Sequence, residues 1–394
     1  MSIVSERVEG YMKNASWIRR MFEAGAKLKA EFGADNVYDF SLGNPDLPPP
    51  SSVSKALKKL ADKVSEPFSF GYMPNGGYLW ARQMLAKEVS KEHGVEIQAE
   101  NVLLSCGAAG GLNAFFRAVL DPGEEVLSFA PYFVEYGFYA ENHGAIFASV
   151  PTEDSTFAPD LSKLEETISE KTRVLIINSP NNPTGVVYTK EQIQSVINVL
   201  KKAGEKYGKP IWLVADEPYR FLAFDGVEVP SVLPMYEYAV VVSSFSKNLS
   251  LPGERIGYVV ISPMLVEGAE LMGALTLTNR ILGYVNPPVV GQHILAEALG
   301  SQVDVSVYKE RRDVMAEVLE ESGYEFQLPQ GAFYFFPKAP GGDDVAFVQR
   351  LFEEKILAVP GTGFGCKGHF RLTFCVDKDI ILGAAQGFSR AKKA

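Results

Sequence analysis

The chain has 394 residues, 46% of them apolar and 22% charged, with a formal net charge of −10. That length suits two domains, or one large domain carrying a smaller one, and the acidic balance argues against nucleic acid as a main partner. Cys106, Cys366 and Cys375 contain no C-x-x-C pair and the four scattered histidines form no zinc pattern, which disfavours a metal site or a disulfide framework and favours a reducing compartment.

In chain order, Met1 to Gly10 lacks the basic-then-apolar layout of a signal peptide, and no apolar run approaches bilayer length. The expectation is a cytoplasmic protein. An amphipathic helix is predicted over 16–32 and a short strand over 37–42. Gly43-Asn44-Pro45-Asp46-Leu47-Pro48-Pro49-Pro50 can continue neither a helix nor a central strand, so it reads as a linker or an active-site loop. A helix with a serine N-cap is predicted over 51–65. A turn-rich loop, Phe70 to Gly77, then carries Tyr72 ahead of a helix over 79–93.

From residue 101 strands alternate with helices or long crossovers. Strands are predicted over 102–106, 125–130, 145–150, 173–178, 211–215, 239–242 and 256–261. A small-residue turn, Gly107-Ala108-Ala109-Gly110-Gly111, opens a helix running to 120, and Thr189 with Gln192 forms a capping box for a helix ending near 207. The apolar runs are continuous rather than alternating, which indicates a mostly parallel sheet covered on both faces. A helix over 264–280 precedes a break at Asn286-Pro287-Pro288. A long helical section over 289–322 follows. Short strands over 324–328, 332–337 and 369–376, a helix over 345–355 and a final helix from 380 suggest a separate α+β domain.

Ligands of an open parallel sheet bind beyond the carboxyl ends of its strands. Those ends carry distinctive groups: Ser179-Pro180-Asn181-Asn182-Pro183-Thr184-Gly185, Asp216-Glu217-Pro218-Tyr219, Ser244-Phe245-Ser246-Lys247, and the helix opening at Ala108-Ala109. A lysine placed after a core strand is suited to a Schiff base when desolvation lowers its pKa. The nearby serines, Arg255 and the free N–H groups of a helix start are suited to a phosphate. A carbonyl cofactor bearing a phosphate, pyridoxal phosphate, fits both halves. Asp216 suits the pyridine nitrogen, Tyr219 and Asn182 the ring oxygen, and Phe133, after the strand over 125–130, a ring face.

Taken together, these motifs, with Pro252-Gly253-x-Arg255-x-Gly257-Tyr258, resemble the class I/II aminotransferases of the aspartate aminotransferase fold. The resemblance runs from Gly43-Asn44-Pro45 to Phe370-Arg371-Leu372. It implies a large domain (46–285) with a seven-stranded, mostly parallel sheet between helices. A smaller α+β domain would combine an N-terminal arm (1–45) with residues 286–394. It implies catalytic roles for Lys247, Asp216 and Tyr219. Cofactor contacts would come from Ala108, Ala109, Phe133, Asn182, Ser244, Arg255 and Tyr72, and substrate contacts from Gly43, Asn182 and Arg371. Tyr72 matches a tyrosine that reaches the neighbouring subunit's phosphate, which implies a homodimer. Cis bonds are expected at Ala130-Pro131 and Asn182-Pro183. The implied reaction is transamination between an L-amino acid and a 2-oxo acid through a Lys247 Schiff base, aspartate/glutamate-like or broad in specificity. A β-eliminating C–S lyase is the alternative on the same fold. A DNA-binding regulator built on this fold lacks both room and charge here. Phe133 stands where aspartate-specific enzymes commonly have tryptophan. Arg280 is either a substrate ligand or a helix-end charge, and its position favours the latter.

Overall fold

The computed structural model describes residues 3–13 and 17–393. Its strands, in chain order, are β1 (Tyr38–Asp39), β2 (Val102–Cys106), β3 (Glu125–Ala130), β4 (Ile146–Pro151), β5 (Thr172–Asn178), β6 (Trp212–Asp216), β7 (Ala239–Ser244), β8 (Ile256–Ile261), β9 (Tyr334–Phe335), β10 (Ile356–Leu357), β11 (Val359–Pro360) and β12 (Phe370–Thr373). Seven of them form one sheet in the order β2-β8-β7-β6-β5-β3-β4. Only β8 runs against its neighbours, so the other six strands end on the same edge. The central strands β6, β7 and β8 are buried along their whole length, as their unbroken apolar runs require.

Helices cover both faces. Helices Ser51–Ala61, Leu79–His93, Lys190–Tyr207 and Val289–Ala298 bury Val53, Leu85, Leu200 and Leu295 against one face. Helices Gly107–Val119, Glu135–Asn142 and Gly268–Ile281 bury Leu112, Tyr136 and Leu275 against the other. A third core joins Phe40 and Phe224 to residues between Val303 and Ala391. It holds the β11-β12-β9 sheet, while β1 pairs with β10 alongside, tying the early chain to its end.

Several boundaries differ from expectation. The helix expected over 16–32 is Trp17–Phe32, with Ser16 outside the described residues, and an unexpected helix spans Glu6–Lys13. Helix Ser51–Ala61 is capped by Pro50 with no side-chain bond, so the expected serine cap is absent; Ser51 is already helical. The capping box at Thr189 and Gln192 is present, each side chain bonding the other residue's backbone N–H. The long section over 289–322 divides into Val289–Ala298 and Val305–Glu321, because Asp304 caps the second helix by accepting from Ser306 N. Residues 324–328 form no strand. Among the described residues, no helix is long and apolar enough to cross a membrane, and no group of His, Cys, Asp and Glu could hold a metal ion.

Candidate active site

A cavity of about 340 Å³ opens at the carboxyl edge of the sheet. Ala108 and Ala109 reach it from the helix after β2, Phe133 from the turn after β3, Asn182 after β5, Asp216 and Tyr219 from the end of β6, and Lys247 after β7. Gly43, Tyr334 and Arg371 close it from the other side. Topology alone therefore unites residues far apart in sequence.

Asp216 is buried, and its two oxygens differ. Oδ2 accepts a 2.6 Å hydrogen bond from Tyr136 Oη, while Oδ1 is buried with no partner. Asn178 fixes the backbone by donating to the Asp216 carbonyl at 2.8 Å. Desolvation pushes the Asp216 carboxyl up to about 6 even though the Tyr136 bond pulls it down. An unpartnered buried carboxylate oxygen is costly unless a ligand supplies the missing donor.

Lys247 Nζ donates to the Gly43 carbonyl at 2.8 Å and lies 5.3 Å from the Phe333 ring centroid and 5.9 Å from that of Tyr219. Burial pushes its pKa down to about 8; Arg371 and Arg255 add to the fall, while Cys375 opposes it. Tyr219 and Tyr334 share a 2.9 Å hydrogen bond between their hydroxyls. Gly43 packs so tightly on Tyr334 that an added Cβ would sit 2.1 Å from its Oη. Only glycine fits there, and the carbonyl that Lys247 meets depends on that approach.

Arg371 is 2% exposed. Nη1 donates to Asn182 Oδ1 at 3.0 Å and Nη2 to the Ser41 carbonyl at 2.6 Å, while Nε is buried without a partner. The Tyr334 and Phe364 ring centroids lie 4.6 and 4.8 Å from its Cζ. The guanidinium is thus held rigidly at the cavity wall, carrying a charge that no carboxylate among the described residues pairs.

Arg255 lies against the start of helix Gly107–Val119. A Cβ on Gly107 would come within 2.9 Å of Arg255 Nη2, and one on Gly257 within 2.5 Å of the Gly107 carbonyl carbon. Two glycines therefore let a guanidinium and a helix N-terminus converge, a cradle suited to a phosphate. Arg255 itself is exposed and lies just outside the cavity lining. Ser244, expected beside it, is buried at the end of β7 and borders a different cavity, with Glu217. Tyr72 is 94% exposed and does not line this chain's own cavity. The Ala130-Pro131 bond is cis as expected, but the second cis bond is Ser179-Pro180 rather than Asn182-Pro183. Asn182 lies within a turn in which Asn181 Oδ1 accepts from Thr184 N and the Asn181 carbonyl from Gly185 N.

These features fit pyridoxal phosphate: a free buried acceptor for a ring N–H, an amine of lowered pKa, and a glycine-built anion cradle. The profile of aminotransferase class I and II matches residues 35–386. The chain belongs to the class I and II aminotransferases. It is 33% identical to the aspartate aminotransferase of Thermotoga maritima, over 93% of this chain and 94% of that protein. It is 30% identical to that of Pyrococcus horikoshii, over 98% and 97%. A crystal structure of an amino transferase from Eubacterium rectale superposes with a TM-score of 0.96 at 39% identity, covering 100% of this chain and 99% of that one. Class I and II aminotransferases use pyridoxal phosphate to move an amino group between an amino acid and a 2-oxo acid, and the names of these relatives favour transamination over β-elimination.

Among the residues at the cavity that escaped sequence reasoning are Tyr136, which bonds Asp216, and Tyr334, Glu135 and Tyr139, which line it. Tyr136 lies in the first turn of helix Glu135–Asn142 and its N–H donates to the carbonyl of Phe133, which precedes the helix; nearness in sequence to Phe133 was the available signal. Tyr334 is brought in by the third core, and no local pattern points from it to Tyr219.

Proposed function

We propose that Lys247 is the attachment point and proton carrier of the transamination, with Asp216 and Arg371 as its two fixed references. The observation that carries the reading is a lysine amine of lowered pKa in one cavity with a half-free buried carboxylate and a carboxylate-ready guanidinium. Pyridoxal phosphate, when bound, supplies the electron sink that acidifies the α-carbon of the donor.

Asp216 Oδ1 would accept the ring N–H, and Tyr136 holds Oδ2 so that the other oxygen stays directed at the ring. Asn182 and Tyr219 would meet the ring oxygen, and Phe133 would cover a ring face. The Ala108 and Ala109 N–H groups with Arg255 would hold the phosphate, and Ser244 would support them from the end of β7. Arg371 takes the α-carboxylate of the donor, its orientation set by Asn182 and the Ser41 carbonyl. The free Lys247 amine, lowered to about 8 by burial, would accept the α-proton of the donor and later return it. The Gly43 loop carries the carbonyl that steadies Nζ and acts as the cover of the site.

The working form would be a homodimer. Tyr72 is fully outside its own cavity beside exposed Phe68 and Phe70, which suits a loop that completes a neighbour's site. The domain division at 45 and 285 stands as part of this reading, with the Gly43 loop at the first junction. Three free cysteines suit a reducing, cytoplasmic setting. The names of the relatives make aspartate the first donor to assay. Lys247→Ala is expected to abolish turnover while leaving the fold and the phosphate cradle intact; transamination retained in that variant would overturn the proposal.

A further inference from the structure

We infer that Tyr334 is a positioning residue for the transamination: its hydroxyl donates to Tyr219 and thereby reserves the one proton of the Tyr219 hydroxyl for the cofactor's ring oxygen. The inference rests on the contact proposed above between Tyr219 and that oxygen, and adds what governs its direction.

Phe333-Tyr334-Phe335-Phe336 is a run of four aromatics, each no more than 3% exposed. Three of the four are phenylalanine, which fills such a core without a polar atom. A buried hydroxyl costs stability unless it is hydrogen-bonded, so the one on Tyr334 has to be matched by a partner. It lies 2.9 Å from the Tyr219 hydroxyl, with the two rings nearly perpendicular at 85°. Tyr219 follows β6 of the large sheet and Tyr334 opens β9 of the small one, so the bond joins the two sides of the cavity. Gly43 packs against the same Tyr334 hydroxyl and limits its swing.

The geometry lets either hydroxyl donate, but each has a single proton. Were Tyr219 to donate to Tyr334, its oxygen would meet the ring oxygen lone pair to lone pair. With Tyr334 as donor the protons run one way, from Tyr334 to Tyr219 to the ring oxygen, and each bond polarises the next. The surrounding charge favours that direction. Arg371 Cζ lies 4.6 Å from the Tyr334 ring centroid, while Lys247 Nζ is 5.9 Å from that of Tyr219. Burial raises the pKa of both phenols, and Arg371 is the main influence holding Tyr334 down. The same guanidinium orients the other proposed contact. Its Nη1 donates to Asn182 Oδ1 at 3.0 Å, which leaves the donor end of the Asn182 amide for the ring oxygen.

The test is a pH titration of the holoenzyme's cofactor absorbance in the wild type, Tyr334→Phe, Tyr219→Phe and the double variant. A hydrogen bond donated to the ring oxygen favours loss of the proton from the nitrogen that joins the cofactor to Lys247, so weakening that bond raises the midpoint. Tyr334→Phe keeps the ring and its packing, and the absorbance itself reports that each variant is loaded. Its midpoint should rise by about half a pH unit, about a threefold gain in proton affinity. The rise should vanish on the Tyr219→Phe background. The aspartate concentration that half-saturates conversion should stay within about twofold of wild type, because Arg371 keeps its bonds to Asn182 and the Ser41 carbonyl. A midpoint that falls in Tyr334→Phe would mean that Tyr219 donates to Tyr334, and would overturn the inference. An unmoved midpoint, or an equal rise on the Tyr219→Phe background, would overturn it too. All three outcomes leave transamination standing. If no amino acid converts the wild-type cofactor to its amine form, the transamination reading itself has failed, and the inference falls with it.

Discussion

Asp216 and Glu217 are consecutive, both buried, and both lifted by desolvation, to about 6 and about 7 respectively. Yet they face different surroundings. Asp216 turns to the cavity that holds Lys247 and Arg371, with one oxygen unpartnered. Glu217 turns to a larger cavity of about 500 Å³ that contains none of Lys247, Asn182 and Arg371. There its Oε2 accepts from Arg220 Nη1 at 3.1 Å, and Arg220 also donates to the carbonyls of Glu92, Val229 and Pro230. His93 Nε2 stands 3.8 Å from Glu217, but burial pushes its pKa down to about 2, so it remains neutral and adds no counter-charge. Neither burial, a shifted pKa nor cavity size separates the two carboxylates. The difference is whether the protein has already supplied the partners: Glu217 ties a loop to a strand end, and Asp216 has been left one bond short.

The largest expected effect follows from that missing bond. Asp216→Asn should lower kcat/KM by about a thousandfold without unfolding the protein. It should also reveal the cost of the lone carboxylate. Both Asp216 and Glu217 have folded-state pKa values above their unfolded ones, about 3.9 and 4.3, so the native state holds their protons more tightly. Stability from this source is full below about pH 4 and is lost as pH rises through about 6 and 7. Thermal scans of the apoenzyme should therefore show falling stability from pH 5 to 8, and Asp216→Asn should be the more stable apoenzyme at pH 8. A variant less stable than wild type there would mean that Asp216 is structural after all.

Arg220→Met should show the reverse profile. Denaturant unfolding should record a loss of about 3 kcal/mol, the usual consequence of breaking a buried pair, with kcat within about twofold of wild type. A large loss of kcat at unchanged stability would place Glu217 and Arg220 in the chemistry. The smallest effect is expected from Tyr136→Phe. Loss of the 2.6 Å bond leaves Asp216 more readily protonated, so cofactor affinity at pH 7 should fall by about tenfold and recover as pH is raised. A purely packing role for Tyr136 would give a pH-independent change.

The sheet and the residues on its strand ends were legible because continuous apolar runs mark buried parallel strands, and the topology of such sheets puts their polar termini together. Asn182, Asp216, Tyr219 and Lys247 were singled out in this way, and they line one cavity. The cover of the site was harder to read. Tyr334 reaches Arg371 from a core assembled from both ends of the chain, Phe364 from a separate cluster with Phe157, Phe336 and Val359, and the Ser41 carbonyl by accepting from Nη2, and such long-range packing leaves no periodic signal. Ser244 carries the motif's sequence context and borders the Glu217 cavity from the end of β7, so its proposed place behind the phosphate rests on the resemblance alone. The second cis-proline bond was missed by three residues for a related reason, since Ser179-Pro180 and Asn182-Pro183 share one short loop and look alike in sequence.

The most direct test of the central claim is a single half-reaction. Purified holoenzyme is mixed with one amino acid and no acceptor, and cofactor absorbance and 2-oxo acid are followed together. The account predicts full conversion of the aldehyde form of the cofactor to its amine form with one 2-oxo acid released per site. Persistence of the aldehyde band while ammonia and pyruvate accumulate would contradict it.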